Sequence, residues 1–280
     1  MFLLISTLRN EAENLPKLIH SIETQSIKPS LWVIMNDNSS DNTEEIIRSS
    51  MSHHPYIHLI NLEPGDKDLA WRYHRNMKFG FDKAIVIAEE KGIDWDSIGV
   101  LDGDIVFEDT EYYEKLENAL HADETLGIVS GELSEPVDGV LAVKKRRYPC
   151  GACRLIRKEC YALSGYPEEP AADSIMRVLA SINGFSSMII PDAKAIQVRE
   201  TTSFEYDIKS AKYTGYIKYY LGFPPIYALL QSLRLLSKGR IQNSIVFFLS
   251  YFRNVLRRNK RVSYPEVKKT YSKAFTGANK

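Results

Sequence analysis

Ile98-Gly99-Val100-Leu101-Asp102-Gly103-Asp104-Ile105-Val106 is an apolar run broken by two carboxylates one residue apart. Ile98, Val100, Leu101, Ile105 and Val106 are apolar strand formers, so the flanks predict a buried strand. Carboxylates at the edge of such a strand are costly unless paired, solvated or bound to a cation. Gly103 removes a side chain that would crowd whatever lies beside them. Two hard oxygen ligands with open space suit Mg²⁺ or Mn²⁺ carrying a phosphate. The same residues also suit a plain acidic turn, and only their neighbours decide between the two.

Upstream, Phe2–Ser6 reads as an apolar strand and Thr7-Leu8-Arg9-Asn10-Glu11 as a polar loop. Leu15, Leu18, Ile19 and Ile22 recur at helical spacing, with Pro16 tolerated only in a first turn. Leu31–Met35 is a second strand, ending in Asn36-Asp37-Asn38-Ser39-Ser40-Asp41, and Thr43–Ser50 a second helix. Ile57–Ile60 is a short strand, Glu63–His74 is polar and turn-rich, and Arg75–Glu90 is helical. Glu111–His121 and Leu126–Ser130 read as a further helix and strand. Strand, polar loop and helix alternate, which predicts an α/β domain with a largely parallel sheet. Ligands of such sheets bind at the carboxyl ends of strands. Three strands here end in polar clusters: Thr7 to Glu11, Asp37 to Asp41, and Asp102 to Asp104.

The middle of the chain is less regular. Lys144-Lys145-Arg146-Arg147 falls in a loop and reads either as a solvated face or as a contact for an anion or acceptor. Gly151–Arg157 is strand-like, Glu159–Ser164 a short helix, and Ala171–Ile182 a longer one with Asp173 in its first turn. An acid there stabilises a helix start by roughly 0.3–1 kcal/mol; it could equally be a base presented from a loop–helix junction.

The 280 residues carry 44% apolar residues, ample for a packed core, and 36 basic against 36 acidic residues. That balance hides an asymmetry: residues 201–280 hold fifteen Lys or Arg and three acids, about +12, and the first 200 about −12. A basic tail implies an anionic neighbour: a membrane surface, nucleic acid or the acidic body of the protein itself. Tyr213–Leu233 is aromatic-rich and broken by Pro224-Pro225. Ile241–Leu256 is apolar and runs into Arg257-Arg258-Asn259-Lys260-Arg261, a pattern of interfacial helices with a basic anchor. It also suits a helix packed on the sheet with a solvated basic end. Apolar aromatics beside the charges favour a membrane over nucleic acid. Three cysteines, with a single Cys-x-x-Cys at Cys150 and Cys153, make neither a disulfide framework nor a zinc site. With no signal peptide and no run long enough to span a bilayer, the reading is of a cytosolic protein, peripheral on the inner membrane face where the tail engages it.

In order, these pieces resemble the inverting family-2 glycosyltransferases of the GT-A fold. Ser6-Thr7-Leu8-Arg9-Asn10-Glu11 matches the family's opening loop, and Ser21-Ile22-Glu23-Thr24-Gln25 the end of its first helix. Asn36-Asp37-Asn38-Ser39-Ser40-Asp41-Asn42-Thr43 matches Asp-Asp-x-Ser-x-Asp-x-Thr, with Asn36 replacing the first acid. Arg75-Asn76 matches an Arg-Asn pair and Asp102-Gly103-Asp104 the Asp-x-Asp. Ser164-Gly165-Tyr166 and Ala172-Asp173 stand degenerately for Gly-Gly-Phe and Glu-Asp, the Glu being lost. Arg199 and Gly215-Tyr216-Ile217-Lys218-Tyr219-Tyr220-Leu221-Gly222-Phe223 loosely resemble the tail of a subset of these enzymes.

The resemblance implies a GT-A-type, mostly parallel, Rossmann-like sheet over residues 1–200, nucleotide-binding to about 106 and acceptor-binding beyond, then a helical basic appendage at 201–280. It implies transfer of a sugar from a UDP- or GDP-linked donor to a hydroxyl of a glycan or lipid-linked acceptor, with inversion. Asp104 and Asp102 would hold Mn²⁺ or Mg²⁺, and Asp102 would also serve the ribose side. Thr7, Arg9, Glu11, Asp37 and Gly103 would position base and ribose, Arg75 the phosphate or base, and Asp173 would be the catalytic base. No nucleic-acid partner is implied; an anionic membrane would meet residues 241–261. Two other readings compete. An inactive nucleotide-sugar-binding scaffold is favoured by Asn36 and by the lost Glu. A sugar-nucleotide pyrophosphorylase would need a Gly-rich first loop, and Thr7–Glu11 has no glycine.

Overall fold

The computed structural model describes residues 1–65, 69–137, 139–199 and 207–273. The chain divides into two compact units, Met1–Glu200 and Thr201–Lys280; the expected domain junction lies within 200–206, outside the described residues.

In the first unit, β1 (Phe2–Leu8), α1 (Leu15–Glu23), β2 (Leu31–Asn36), α2 (Thr43–Met51), β3 (Ile57–Asn61), α3 (Leu69–Glu90) and β4 (Ser97–Leu101) alternate. β3, β2, β1 and β4 lie side by side in that order, all parallel. Both faces of β1 are covered, and its side chains alternate between two cores, as the period of a strand requires. Phe2, Leu4 and Leu8 pack with Leu15, Leu18, Ile22 and Trp32. Leu3 and Ile5 pack on the other face with Met77, Phe81 and Ala84 of α3. Ser6 would be an orphan here, but its hydroxyl donates to the Leu101 carbonyl at 2.6 Å and accepts from the Trp32 indole at 2.9 Å.

Beyond β4 come β5 (Ile105–Phe107), α4 (Tyr112–Ala122), β6 (Leu126–Val137), β7 (Val140–Val143), β8 (Cys153–Arg157), α5 (Lys158–Ser164), α6 (Ala172–Ile182) and β9 (Ser186–Gln197). Here the sheet mixes directions. β8 runs antiparallel to β4 and β6, β9 is parallel to β6, and β5 antiparallel to β9. The first half of the sheet is thus all parallel, and the antiparallel pairings fall in the second half, beside the parallel pair β6–β9. Helices flank the sheet, the arrangement expected of the GT-A fold.

Boundaries differ from expectation at three places. α3 starts at Leu69, inside the stretch read as turn-rich. β6 runs on to Val137 and folds back as β7, whose four side chains are all exposed. β9 is a twelve-residue strand with Pro191 and Asp192 inside it; its register with β6 breaks there, between the pairs Gly131–Ile190 and Glu132–Lys194, and also at its start, between Leu126–Ser186 and Ile128–Ser187.

The second unit is helical: α7 (Ile208–Leu221), α8 (Pro225–Ser237), α9 (Ile241–Leu256) and α10 (Pro265–Ser272). Asp207 caps α7 by accepting from the Ser210 amide at 2.8 Å. Ala211, Tyr219, Ala228, Leu235, Phe247 and Tyr251 form its core. Among the described residues no helix is long and apolar enough to cross a membrane.

Candidate active site

The parallel registers set the loops after β1, β2 and β4 along one edge of the sheet. Leu8 is level with Asn36, and the Asp37 amide donates to the Leu8 carbonyl at 2.8 Å. Much of the polar sequence in these loops binds the loops to each other. The Glu11 amide donates to Thr43 Oγ1 at 2.9 Å, the Ala12 amide to Asp41 at 3.1 Å, and the Ser40 amide to Asn10 at 2.7 Å. Asn36, in place of an acid, donates to Asn61 at 2.9 Å and accepts from the Ser39 amide at 3.2 Å.

Among the expected donor residues, buried Asp37 is ion-paired with Arg72. Arg75, one turn further along α3, is exposed. The arginine that meets the Asp37 loop is therefore the one the sequence reading passed over. Glu11 is 8% exposed; both its oxygens accept from Arg199 Nη2 at 2.7 Å, and one also accepts from Asn14 at 2.9 Å. Thr7 Oγ1 donates to Met77 Sδ at 3.2 Å, and Arg9 is exposed. Gly103 lies against protein: a Cβ there would stand 2.7 Å from Leu8 Cδ2 and 2.9 Å from Glu11 Cγ. It lets the Asp102–Asp104 turn close onto the β1 loop.

Asp104 is buried, its Oδ2 accepting from Gln197 Nε2 at 3.1 Å, and its carbonyl accepts from the Val198 amide at 2.8 Å. The end of β9 therefore holds the second acid of the pair and brings Arg199 near it. The Arg199 guanidinium is held above its usual range chiefly by hydrogen bonding to Glu11, with Asp104 contributing. Asp102 accepts from the Tyr73 hydroxyl at 3.4 Å. Burial, then the charges of Asp104, Asp173 and the Cys150 thiol, push its carboxyl up to about 8, and Tyr73 offsets this only in part. A carboxyl so placed among other acids is a site short of positive charge. Two hard oxygen donors in an acid-rich setting fit Mg²⁺ or Mn²⁺.

One other acidic group invites comparison. Asp96, Glu117 and His121 can bring ligand atoms within 4.8 Å of one another. They lie at the opposite end of β4, and the Met1 ammonium already sits among them, 2.6 Å from Asp96 and 3.2 Å from Glu117.

Asp173 is presented from the first turn of α6, after Ala171 at φ 63°. Its Oδ1 accepts from Arg154 Nη2 at 2.5 Å; the Arg154 side chain is 3% exposed and that of Asp173 47%. Arg154 lies in β8 opposite Val100 of β4, which brings Asp173 to the side of Asp102. Gly151 makes room for it: a Cβ there would be 2.4 Å from Asp173 Oδ2. His74 contacts the Tyr166 hydroxyl at 3.1 Å, and burial pulls its imidazole below the usual range, against the pull of Asp173, so it is neutral at pH 7. Cys150 and Cys153 are free and buried. A hydrogen bond from Cys153, followed by Arg146 and Arg154, lowers the Cys150 thiol to about 6.

The structure thus brings Asp102, Asp104 and Asp173 together and sets Glu11 and Asp37 along the same edge. Sequence reasoning missed Arg72, Tyr73, His74, Arg154 and Gln197. One of these left a signal: Arg154 is a lone cation inside Cys153-Arg154-Leu155-Ile156, and a buried strand charge demands a partner.

The family model for glycosyl transferase family 2 matches residues 4–149. No curated protein sequence matches the chain. Among solved structures, TarS of S. aureus is 16% identical with a TM-score of 0.52, over 76% of this chain and 39% of that one. A 1–349 fragment of TarS with UDP-GlcNAc is 13% identical, TM-score 0.55, over 76% of this chain and 65% of that one. The mannosyltransferase PcManGT of Pyrobaculum calidifontis, with GDP-Man and Mn²⁺, is 16% identical, TM-score 0.55, over 98% of this chain and 79% of that one. The chain therefore spans well under half of full TarS and about two thirds of its fragment, and the likeness is one of fold.

Proposed function

The chain belongs to glycosyl transferase family 2, and on that premise we propose that it moves a sugar from a nucleoside-diphosphate donor to an acceptor hydroxyl, inverting the anomeric centre. The observation carrying this reading is the convergence of Asp102, Asp104 and Asp173, of which Asp173 alone is matched by a buried arginine. PcManGT binds GDP-Man with Mn²⁺ and the TarS fragment binds UDP-GlcNAc, which supports a similar donor here.

Asp104 and Asp102 would hold Mg²⁺ or Mn²⁺, which neutralises the diphosphate leaving group as a Lewis acid. Arg199, beside Glu11 and Asp104, adds positive charge at the same edge. Asp37 and Glu11 position base and ribose, Asp37 with Arg72 and Glu11 with Arg199. As the acceptor oxygen attacks the anomeric carbon and the bond to diphosphate breaks, the hydroxyl proton passes to Asp173. Arg154 holds that carboxylate in place. Inversion needs no covalent intermediate, so no protein nucleophile is required. A thermal-shift screen of UDP- and GDP-sugars with Mn²⁺ should find one that stabilises the fold. With that donor, D173N should bind normally and lose transfer by about 10²–10⁴-fold; unchanged transfer removes Asp173 as base.

The second unit supports peripheral attachment to an anionic membrane and a lipid-linked acceptor. On α8, Ile226, Leu229, Leu230, Leu233 and Leu236 are exposed at helical spacing. On α9 so are Ile241, Ile245, Leu249 and Leu256. The two helices are joined by the Ser244 hydroxyl donating to the Ser232 carbonyl at 2.8 Å. Arg234, Lys238, Arg240, Arg253, Arg257 and Arg258 flank these stripes. The net charge of about +12 on residues 201–280 opposes self-association through this face and favours anionic lipid. The contact surface extends to α8 as well as residues 241–261. Vesicles containing phosphatidylserine should retain the protein on flotation and neutral vesicles much less; equal absence from both ends the membrane reading.

A further inference from the structure

The mechanism makes no use of Cys150 and Cys153, which are free, buried and hydrogen-bonded to each other through their thiols. Both backbones are pinned. The Cys150 amide donates to Ser130 Oγ at 2.9 Å. The Cys153 carbonyl accepts from the Tyr112 hydroxyl at 2.7 Å, where β8 pairs with β4 opposite Leu101. Only Gly151 and Ala152 lie between them. The Ala152 carbonyl accepts from the Asp102 amide at 2.8 Å. Gly151 lies against the Asp173 carboxylate, so closely that a Cβ would stand 2.4 Å from Oδ2. The turn between the two thiols therefore touches Asp102 on one side and Asp173 on the other. Cys160, the third cysteine, packs in the core of Ile128 and Ile156, whereas Cys150 and Cys153 belong to that of Leu101 and Leu155. It offers no competing partner.

A single buried thiol usually acts as a small apolar side chain. Two in contact can also be oxidised to a disulfide. Bond formation draws the sulfurs from hydrogen-bond contact to about 2 Å. With Cys150 pinned at Ser130 and Cys153 at Tyr112, the adjustment falls on Gly151 and Ala152. It is passed on to the contact with the Asp102 amide and to the seat of Asp173. A misplacement of about 1 Å at reacting groups costs up to about 10²-fold in rate. Cys150 is 5% exposed and Cys153 fully buried, so Cys150 is the sulfur reached from outside. Its thiolate attacks one sulfur of a small disulfide such as oxidised glutathione and releases one glutathione thiol. Cys153 then attacks the Cys150 sulfur of the mixed disulfide and releases the second. The two protein thiols are oxidised, the glutathione disulfide is reduced to two thiols, and the two protein thiol protons end on the leaving thiolates.

We infer that Cys150 and Cys153 form a modification site, a dithiol that small disulfides oxidise to an intramolecular disulfide, and that its closure displaces Asp102 and Asp173 and slows transfer. The modification stands on the thiol pair alone; its effect on transfer rests on the proposed function. Incubating the folded full chain with oxidised glutathione, then alkylating and digesting with trypsin, tests the first step. The peptide Tyr148–Arg154, which holds both cysteines and not Cys160, should appear unalkylated and lighter by two hydrogens. In the same samples transfer, Mn²⁺-dependent nucleotide binding by calorimetry, or both should fall by about tenfold or more, and dithiothreitol should restore them. C150S should keep the reduced protein's behaviour and lose the response to oxidant; C150A serves the same purpose if C150S does not fold. A peptide that stays fully alkylated, or a glutathione adduct on Cys150 that Cys153 never displaces, overturns the inference. So does a disulfide that leaves binding and transfer unchanged, or an equal response in the Cys150 variants. A disulfide that weakens nucleotide binding in a protein whose reduced form transfers no sugar would instead overturn the proposed function and leave the modification site standing.

Discussion

Asp96 and Asp102 stand beyond opposite ends of the same five-residue strand, β4, and each heads a group of acids. At the first end the Met1 ammonium donates to Asp96 and Glu117, and Asp96 is held below the usual carboxylate range by that hydrogen bond. At the second end burial, followed by the charges of Asp104 and Asp173, pushes the Asp102 carboxyl up to about 8. Similar groups behave oppositely because Asp96 is exposed beside the Met1 ammonium, whereas Asp102 is buried among carboxylates and the arginine nearby, Arg154, pairs with Asp173 instead. The fold neutralises the acids at the first end and leaves Asp102 at the second without an ion pair of its own among the described residues.

The contrast breaks most visibly at Asp104. D104A should lower transfer by more than about 10³-fold and abolish Mn²⁺-dependent nucleotide binding in calorimetry; normal metal-dependent binding would dissolve the distinction. A smaller effect sharpens it through pH. The folded pKa of Asp102 is raised, so the metal-free folded state holds a proton that the unfolded chain releases. Stability without metal should therefore fall as pH rises from the ordinary carboxylate range towards about 8. Mn²⁺ should oppose that fall, raising Tm by roughly 5 °C at pH 8 and little at pH 5. A metal-induced shift independent of pH would contradict it. The least effect is expected at the other end. D96N should keep Mn²⁺-dependent transfer and reduce stability by under about 1 kcal/mol, as for an exposed ion pair. Because Asp96 is depressed, that contribution is present at neutral pH and lost as pH falls. Loss of metal dependence in D96N would move the metal to the wrong end of the strand.

The parallel half of the sheet was legible in the sequence because its strands are buried on both faces and its helices keep one apolar side, as Leu15, Leu18 and Ile22 do. The bounds of α9 follow equally from its apolar content. β7 was hidden because all its side chains are exposed and only backbone pairing with β6 makes it a strand. β9 was hidden by Pro191 and Asp192 inside it. In the candidate site, the acids were readable because carboxylates at strand ends are conspicuous. Their partners were not. Arg72 depends on α3 starting six residues before its apolar periodicity shows, and Gln197 on an antiparallel pairing with Ile105 far along the chain. Arg154 pairs with Asp173 across nineteen residues, a distance that no local pattern records.

Gly151 gives the acceptor side a kind of modularity. No side chain fits between it and Asp173, so the carboxylate rests on bare backbone at that point. The exposed residues before it, from Lys145 to Tyr148, can change without pushing on the base. Exchanging that short segment for another of equal length, with Gly151 kept, is therefore a route to new acceptor preferences on an unchanged reaction centre.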